Sequence, residues 1–200
     1  ATDVLAPLGA DTTGSVYLEP DGNFPNHAPN PENAQAMECV SNAAKNAGAD
    51  FGVIFDTDVD RAACVGKGGF EINRNRLVAL ASKVALDSCK GGTIVTDSVT
   101  SDGLAEFIKA NGGVHLRFKR GYRNVINKQL ELCKNGTPCP LAMETSGHAA
   151  FAENYFLDDG AYLITKLIIE AAALAEKGMS LEDLIADLRE PKEEKELRFK

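Results

Sequence analysis

The sequence predicts an α/β layer fold with a largely parallel sheet, and three observations carry that expectation. Short runs rich in β-branched and aromatic residues alternate with longer stretches of helical periodicity over most of the chain. Clusters of acidic, basic and hydroxyl side chains fall just after those runs, where open α/β sheets hold their ligands. A hydrophobic content of 44% over 200 residues is enough for a core with helices layered on a sheet.

In chain order, residues 1–31 read as loop and short strand, punctuated by Gly9, Gly14, Pro20, Gly22, Pro25, Pro29 and Pro31. So much irregular chain is unusual inside a complete domain, and it reads as the end of something that begins earlier. A helix is expected next, with Asn30 as N-cap, Pro31 at the first helical position, Glu32 in the first turn and Gly48 near its end. Residues 51–55 form a buried strand. The runs 62–65 and 70–72 form a hairpin about residues 66–69. Residues 76–87 are amphipathic, with Leu77, Leu80, Ala81 and Val84 on one face. A strand (93–95), a helix (103–110, capped by Ser101 or Asp102), a strand (114–118), a helix (122–133) and a short strand (141–143) follow. The last long helix runs over about 160–177, led by Asp158 and Asp159 and stopped by Gly178. Its residues Leu163, Ile164, Leu167, Ile168, Ala171 and Leu174 recur at helical spacing. Ser180 caps a short helix over 181–188, and residues 190–198 are a charged run of linker composition.

The formal net charge of −8, from 29 acidic and 21 basic residues, excludes a general binder of nucleic acid or of anionic membranes. It leaves room for a local basic pocket that takes a small phosphorylated ligand. The five cysteines, Cys39, Cys64, Cys89, Cys133 and Cys139, include no C-x-x-C, and the three histidines are not spaced to complete a zinc site. Free thiols in a reducing, intracellular compartment are expected. The most apolar helix carries Lys166 and Glu170, so no membrane span is expected.

Three loops carry chemistry. Asp56, Asp58 and Asp60 stand at alternate positions after the 51–55 strand, and Arg61 follows at once. Three carboxylates gathered there repel one another, and a hard cation such as Mg²⁺ or Ca²⁺ relieves that; a solvated acidic turn is the alternative. An EF-hand is disfavoured, because Arg61 and Lys67 stand where Gly and Glu are needed. A cation beside an arginine points to phosphate chemistry. Arg117, Lys119, Arg120 and Arg123 gather about a strand end and a helix start, a ready phosphate site in an otherwise acidic chain. In Glu144-Thr-Ser-Gly-His148, Glu144 and Ser146 suit vicinal hydroxyls and His148 suits proton transfer near neutral pH, with a structural histidine as the alternative. Asp158 and Asp159 are equally suited to capping the helix that follows.

Four stretches in this order resemble the α-D-phosphohexomutases, the phosphoglucomutase/phosphomannomutase family: residues 20–32 (Pro-Asp-Gly-Asn-Phe-Pro-Asn-His-Ala-Pro-Asn-Pro-Glu), the aspartate loop 56–61, the loop 144–148, and residues 153–160 (Glu-Asn-Tyr-Phe-Leu-Asp-Asp-Gly). The resemblance implies an isomerase of carbohydrate metabolism that interconverts hexose 1-phosphate and hexose 6-phosphate through a phosphoserine and a bisphosphate intermediate. It implies a three-layer α/β/α sandwich with a mixed, largely parallel sheet. Residues 1–31 would then be the C-terminal part of a second domain, 32–178 a third domain holding the metal and sugar loops, and 179–200 a connector towards a fourth.

The implied site has Mg²⁺ on Asp56, Asp58 and Asp60, and Arg61 near the reactive phosphate. It also has Glu144 and Ser146 on the sugar hydroxyls; from the loop chemistry above, His148 joins Arg61 as a candidate catalytic residue, and Arg120 and Arg123 join Glu144 and Ser146 as candidate substrate contacts. Glucose 1,6-bisphosphate is the implied activator. The implied partners are the hexose phosphate and the other domains of the same polypeptide, with no nucleic acid and no membrane. Two family motifs do not occur here: the Thr/Ser-Ala-Ser-His-Asn-Pro loop that carries the phosphoserine and the Arg-x-Ser-x-Thr loop that grips the distal phosphate. The chain on its own is therefore expected to be inactive.

Thr57 replaces the usual glycine of Asp-Gly-Asp, and Tyr122 stands where the family often has histidine. Residues 120–126 resemble plant and algal members, which implies a cytoplasmic or plastid protein. Glucose, mannose and glucosamine stay open as the sugar. Two other readings stand beside this one. A haloacid-dehalogenase-like, Mg²⁺-dependent phosphatase would use Asp56 as nucleophile and Asp58 as acid, with Thr96 and Asp158-Asp159 completing its site. A non-catalytic phosphosugar-binding module would use the same loops without chemistry.

Overall fold

The computed structural model describes residues 3–193 and residue 195. Residues 1 and 2 of the leading segment and residues 194 and 196–200 of the charged run lie outside the described residues. Among the described residues, seven strands divide into two sheets. β1 (Gly52–Phe55), β2 (Ala62–Val65) and β3 (Glu71–Ile72) form an antiparallel sheet in chain order. β4 (Thr93–Thr96), β5 (Val114–Arg117), β6 (Leu141–Met143) and β7 (Ala149–Phe151) form a second, in the order β5-β4-β6-β7. There β4 runs parallel to both β5 and β6, whereas β7 returns antiparallel beside β6. The sheets are thus mixed, and the parallel part is the β5-β4-β6 core that the α/β alternation predicts. Parallel neighbours need crossover helices, supplied by α3 (Asp102–Ala110) and α4 (Tyr122–Lys134).

Side-chain alternation gives each face its helix layer. Ile94, Leu141 and Met143 enter the main core with Leu77 and Leu80 of α2 (Arg74–Ser88) and Leu163 and Leu167 of α5 (Gly160–Ala175). Their neighbours Val95 and Ala142 point the other way, onto Val125 of α4. The antiparallel sheet does the same. Cys64 joins the main core, while Ala63 and Val65 meet Met37 and Val40 of α1 (Ala34–Ala47). Each fully buried leucine contributes about 2 kcal/mol, so the shared core fixes the two sheets against one another.

Several boundaries differ from expectation for local reasons. α1 starts at Ala34, because Asn33 and not Asn30 is the cap: the Asn33 side chain accepts from Ala36 N at 3.1 Å. Asn30 instead closes a turn onto Glu32 N at 2.9 Å. Gly48 ends α1 in the left-handed conformation, as anticipated. β7 was not anticipated; its three residues are all buried and show no alternation. The described part of residues 1–31 forms one 3₁₀ turn, Ala6–Leu8, and no strand. α5 stops at Ala175, two residues early, and α6 spans only Leu181–Leu184, with Asp183 accepting from Ser180 N at 2.7 Å. The five cysteines are free. Among the described residues no helix is long and apolar enough to cross a membrane.

Candidate functional site

The aspartate loop is the link from β1 to β2, whose register pairs Phe55 with Ala62. Asp56 N donates to Arg61 O at 3.2 Å and closes the base of the loop. At its apex Val59 is left-handed (φ 65°), and its carbonyl accepts from Gly160 N at 3.1 Å. A Cβ on Gly160 would lie 2.8 Å from that carbonyl oxygen, so the first residue of α5 has to be glycine for this approach. Asp56 is buried and is held twice by Arg61, through N–H to Oδ1 at 3.1 Å and Nε to Oδ2 at 2.7 Å. Burial alone would raise its pKa, but the two Arg61 hydrogen bonds and the guanidinium charge outweigh it and hold the carboxyl below its ordinary value. Asp60 goes the other way. Burial, with Asp56 and Asp158 adding repulsion against an opposing pull from His148, pushes it up to about 6.

Asp56, Asp58 and Asp60 each offer an oxygen, all within 4.8 Å of one another. The donor set fits a hard divalent cation. The oxygens converge and one carboxylate is buried. A wholly solvated turn is inconsistent with the burial of Asp56.

The 144–148 loop is the hairpin between β6 and β7. Glu144 N donates to His148 O at 2.9 Å, and Gly147 turns the chain at φ 102°. A Cβ on Gly147 would meet Ala62 O at 2.5 Å, because Ala62 N donates to Gly147 O at 3.4 Å and a backbone bridge pairs Arg61 with His148. The two loops therefore adjoin through main chain as well as side chain. His148 Nδ1 lies 2.8 Å from Asp158 Oδ2 and 3.7 Å from Asp60 Oδ2. Burial would lower the histidine pKa, but the Asp158 contact and the surrounding carboxylates raise it above its ordinary value. Asp158 also accepts from Ala149 N at 3.1 Å, whereas Asp159 caps α5 by accepting from Tyr162 N at 2.8 Å. The capping role expected of the pair thus belongs to Asp159 alone.

Glu144 is buried and accepts from Gly121 N at 2.5 Å. Ser146 is buried, and its hydroxyl has no hydrogen-bond partner. Arg123 Nε donates to Tyr122 OH at 3.1 Å, and the Tyr122 ring stacks on His148 at 4.9 Å and 21°. Arg120 reaches towards Glu32 at 3.9 Å. Arg117 is taken up by Asp102 at 2.6 Å, away from the cluster. The structure thus joins Asp56, Asp60, Arg61 and His148 directly, brings Glu144 and Ser146 onto the same loop as His148, and leaves Asp58 exposed. Gly121, Tyr122 and Asp97 are partners that the sequence reading did not assign. Asp97, one residue past β4, was readable from its strand-end position; the backbone N–H of Gly121 was not.

Residues 2–69 match the family model described as phosphoglucomutase/phosphomannomutase, alpha/beta/alpha domain II, and residues 73–191 match alpha/beta/alpha domain III. The two models meet between residues 69 and 73, at the step from β3 to α2, whereas the sequence reading divides the chain after residue 31. The chain is 33% identical over 189 residues to a phosphomannomutase/phosphoglucomutase of Pseudomonas syringae pv. tomato, covering 92% of this chain and 39% of the relative. It is 33% identical over 162 residues to a phosphoglucomutase of Neisseria gonorrhoeae, covering 80% and 34%. A crystal structure of a phosphoglucomutase/phosphomannomutase family protein from Burkholderia thailandensis superimposes with a TM-score of 0.72 at 33% identity, covering 85% of this chain and 35% of that one. The chain spans well under half the length of each of these proteins.

Proposed function

The chain belongs to the phosphoglucomutase/phosphomannomutase family, and from that premise we propose that it supplies the metal loop and the sugar loop of a hexose-phosphate mutase. The observation that carries the reading is the junction of the two loops, where Arg61 pairs with His148 and Asp60 approaches the His148 ring to 3.7 Å. Transferable phosphate and sugar would meet at that junction. A magnesium ion held by Asp56, Asp58 and Asp60 would supply charge neutralisation for the transferring phosphoryl group. Arg61, fixed by Asp56, holds a guanidinium beside that group without having to reorganise. Glu144 and Ser146 bind sugar hydroxyls, and Arg120 and Arg123 attract the phosphate that does not react. With Nδ1 engaged by Asp158, the remaining ring nitrogen of His148 is the one that exchanges a proton with a substrate hydroxyl.

In the whole mutase the phosphoryl group would pass from a seryl phosphate to the hexose phosphate and return from a bisphosphate intermediate. The chain has no Ser-His-Asn-Pro loop. Alone it binds the sugar phosphate and turns over nothing. Two features weigh against the phosphatase reading: the strand that Asp56 follows belongs to the antiparallel sheet, and the Thr96 hydroxyl is already bonded to His115 at 2.7 Å and to Thr100 at 2.9 Å.

The test is a titration of isotope-labelled chain with glucose 1-phosphate in the presence of Mg²⁺, followed by amide chemical shifts. Shifts are expected at residues 56–61 and 144–148, with no glucose 6-phosphate formed even when glucose 1,6-bisphosphate is added. Failure of both loops to respond sinks the proposal. Release of inorganic phosphate that Asp56→Asn abolishes would hand the site to the phosphatase reading.

A further inference from the structure

Asp97 is fully buried one residue beyond β4, and the polar groups that act on it come from the loops that follow the two strands parallel to β4. Its Oδ2 accepts from the Thr145 hydroxyl at 3.0 Å, while its Oδ1 has no hydrogen-bond partner. Thr145 sits between Glu144 and Ser146. Of these three side chains, Glu144 is tied to Gly121 N and Thr145 to Asp97, and only the Ser146 hydroxyl is left without a partner. A carboxylate in a dry interior is expensive, and two hydroxyls would tie a loop together without one. A charge kept there at that expense has a use, and the thing it holds is the loop that carries the ligand-free hydroxyl. Glu144 from the β6–β7 loop and Arg120 from the loop after β5 are the charged groups that act on it.

We propose that Asp97 is a positioning residue for substrate: by gripping Thr145 it sets the loop geometry in which Glu144 and Ser146 meet the sugar, an inference that rests on the sugar-loop reading above. The experiment compares the unaltered chain with Asp97→Ala, Asp97→Asn, Thr145→Val and the Asp97→Ala/Thr145→Val double variant. It reads glucose 1-phosphate affinity with Mg²⁺ present and, without ligand, amide hydrogen exchange at Ser146 and Gly147. Asp97→Ala and Thr145→Val should each weaken affinity by about tenfold, and the double variant by no more than Asp97→Ala alone, because Asp97→Ala already removes the hydroxyl contact that Thr145→Val deletes. Asp97→Asn, whose amide oxygen still accepts the Thr145 hydroxyl, should stay within about threefold of the unaltered chain. Unchanged affinity in Asp97→Ala, or losses that add in the double variant, overturns the proposal. If the unaltered chain does not bind the sugar phosphate, the sugar-loop reading falls, and exchange decides the grip by itself. Faster exchange in Asp97→Ala but not in Asp97→Asn upholds it, and equal exchange in all variants removes it.

Discussion

Asp97 and His115 lie on either side of Thr96 and are shifted in opposite senses. Burial raises Asp97 from 3.8 to about 6, more than the Thr145 hydrogen bond lowers it. Burial, with Arg117 adding repulsion, lowers His115 from 6.5 to about 4. Between about pH 4 and 6 the folded chain therefore holds more proton on Asp97 than the unfolded chain does, and this contribution to stability grows as pH falls. His115 holds less proton when folded, so its contribution shrinks over the same interval. The two oppose one another in the unaltered protein. His115→Asn should gain thermal stability relative to it as pH drops from 6.5 to 4, and Asp97→Asn should lose; melting curves at several pH values that ran parallel would disprove the assignment. At this scale the sequence singles out the acidic triplet, Arg61, Glu144, Ser146 and His148 as candidates, because residue type and spacing suggest that chemistry, and the fold brings Asp60, Arg61 and His148 together. The division of labour between Asp158 and Asp159 was hidden, since either has the composition of a cap and only the fold brings one of them to His148.

Elements were legible where local rules were uncontested. α2, α3 and α4 lie within two residues of their expected limits, because amphipathic spacing and caps such as Ser101, which accepts from Leu104 N at 3.1 Å, agree. The start of α1 was misjudged because Asn30 and Asn33 both have cap chemistry, and Pro31 fits a helix start as well as a turn. Stability measurements separate them: Asn33→Ala should cost about 1 kcal/mol in urea unfolding, as loss of a cap does, and Asn30→Ala clearly less of it from the helix. Equal losses would mean the helix begins earlier. β7 escaped notice because its pairing with β6 buries every side chain, which erases the period of two that marks a half-exposed strand.

For the whole molecule, alternation of strand and helix foretold the layers but not the separation into two sheets, since sheet membership is decided by long-range pairing. The proposed cation site supplies a test at this scale. Mg²⁺ at ten times its dissociation constant should add about 1.4 kcal/mol of stability, seen as a rise in thermal midpoint that a chelator reverses. Asp58→Asn should remove the rise while leaving the metal-free midpoint in place, because Asp58 is exposed; a persistent rise would place the ion elsewhere. The hydrogen bond from Ala62 N to Gly147 O and the pairing of Arg61 with His148 cross the division between the two family models. A swing about residues 69–73 would have to tear both. The two loops are thus sewn together by main chain across that division, so neither part matched by a family model can shift its loop without carrying the other along.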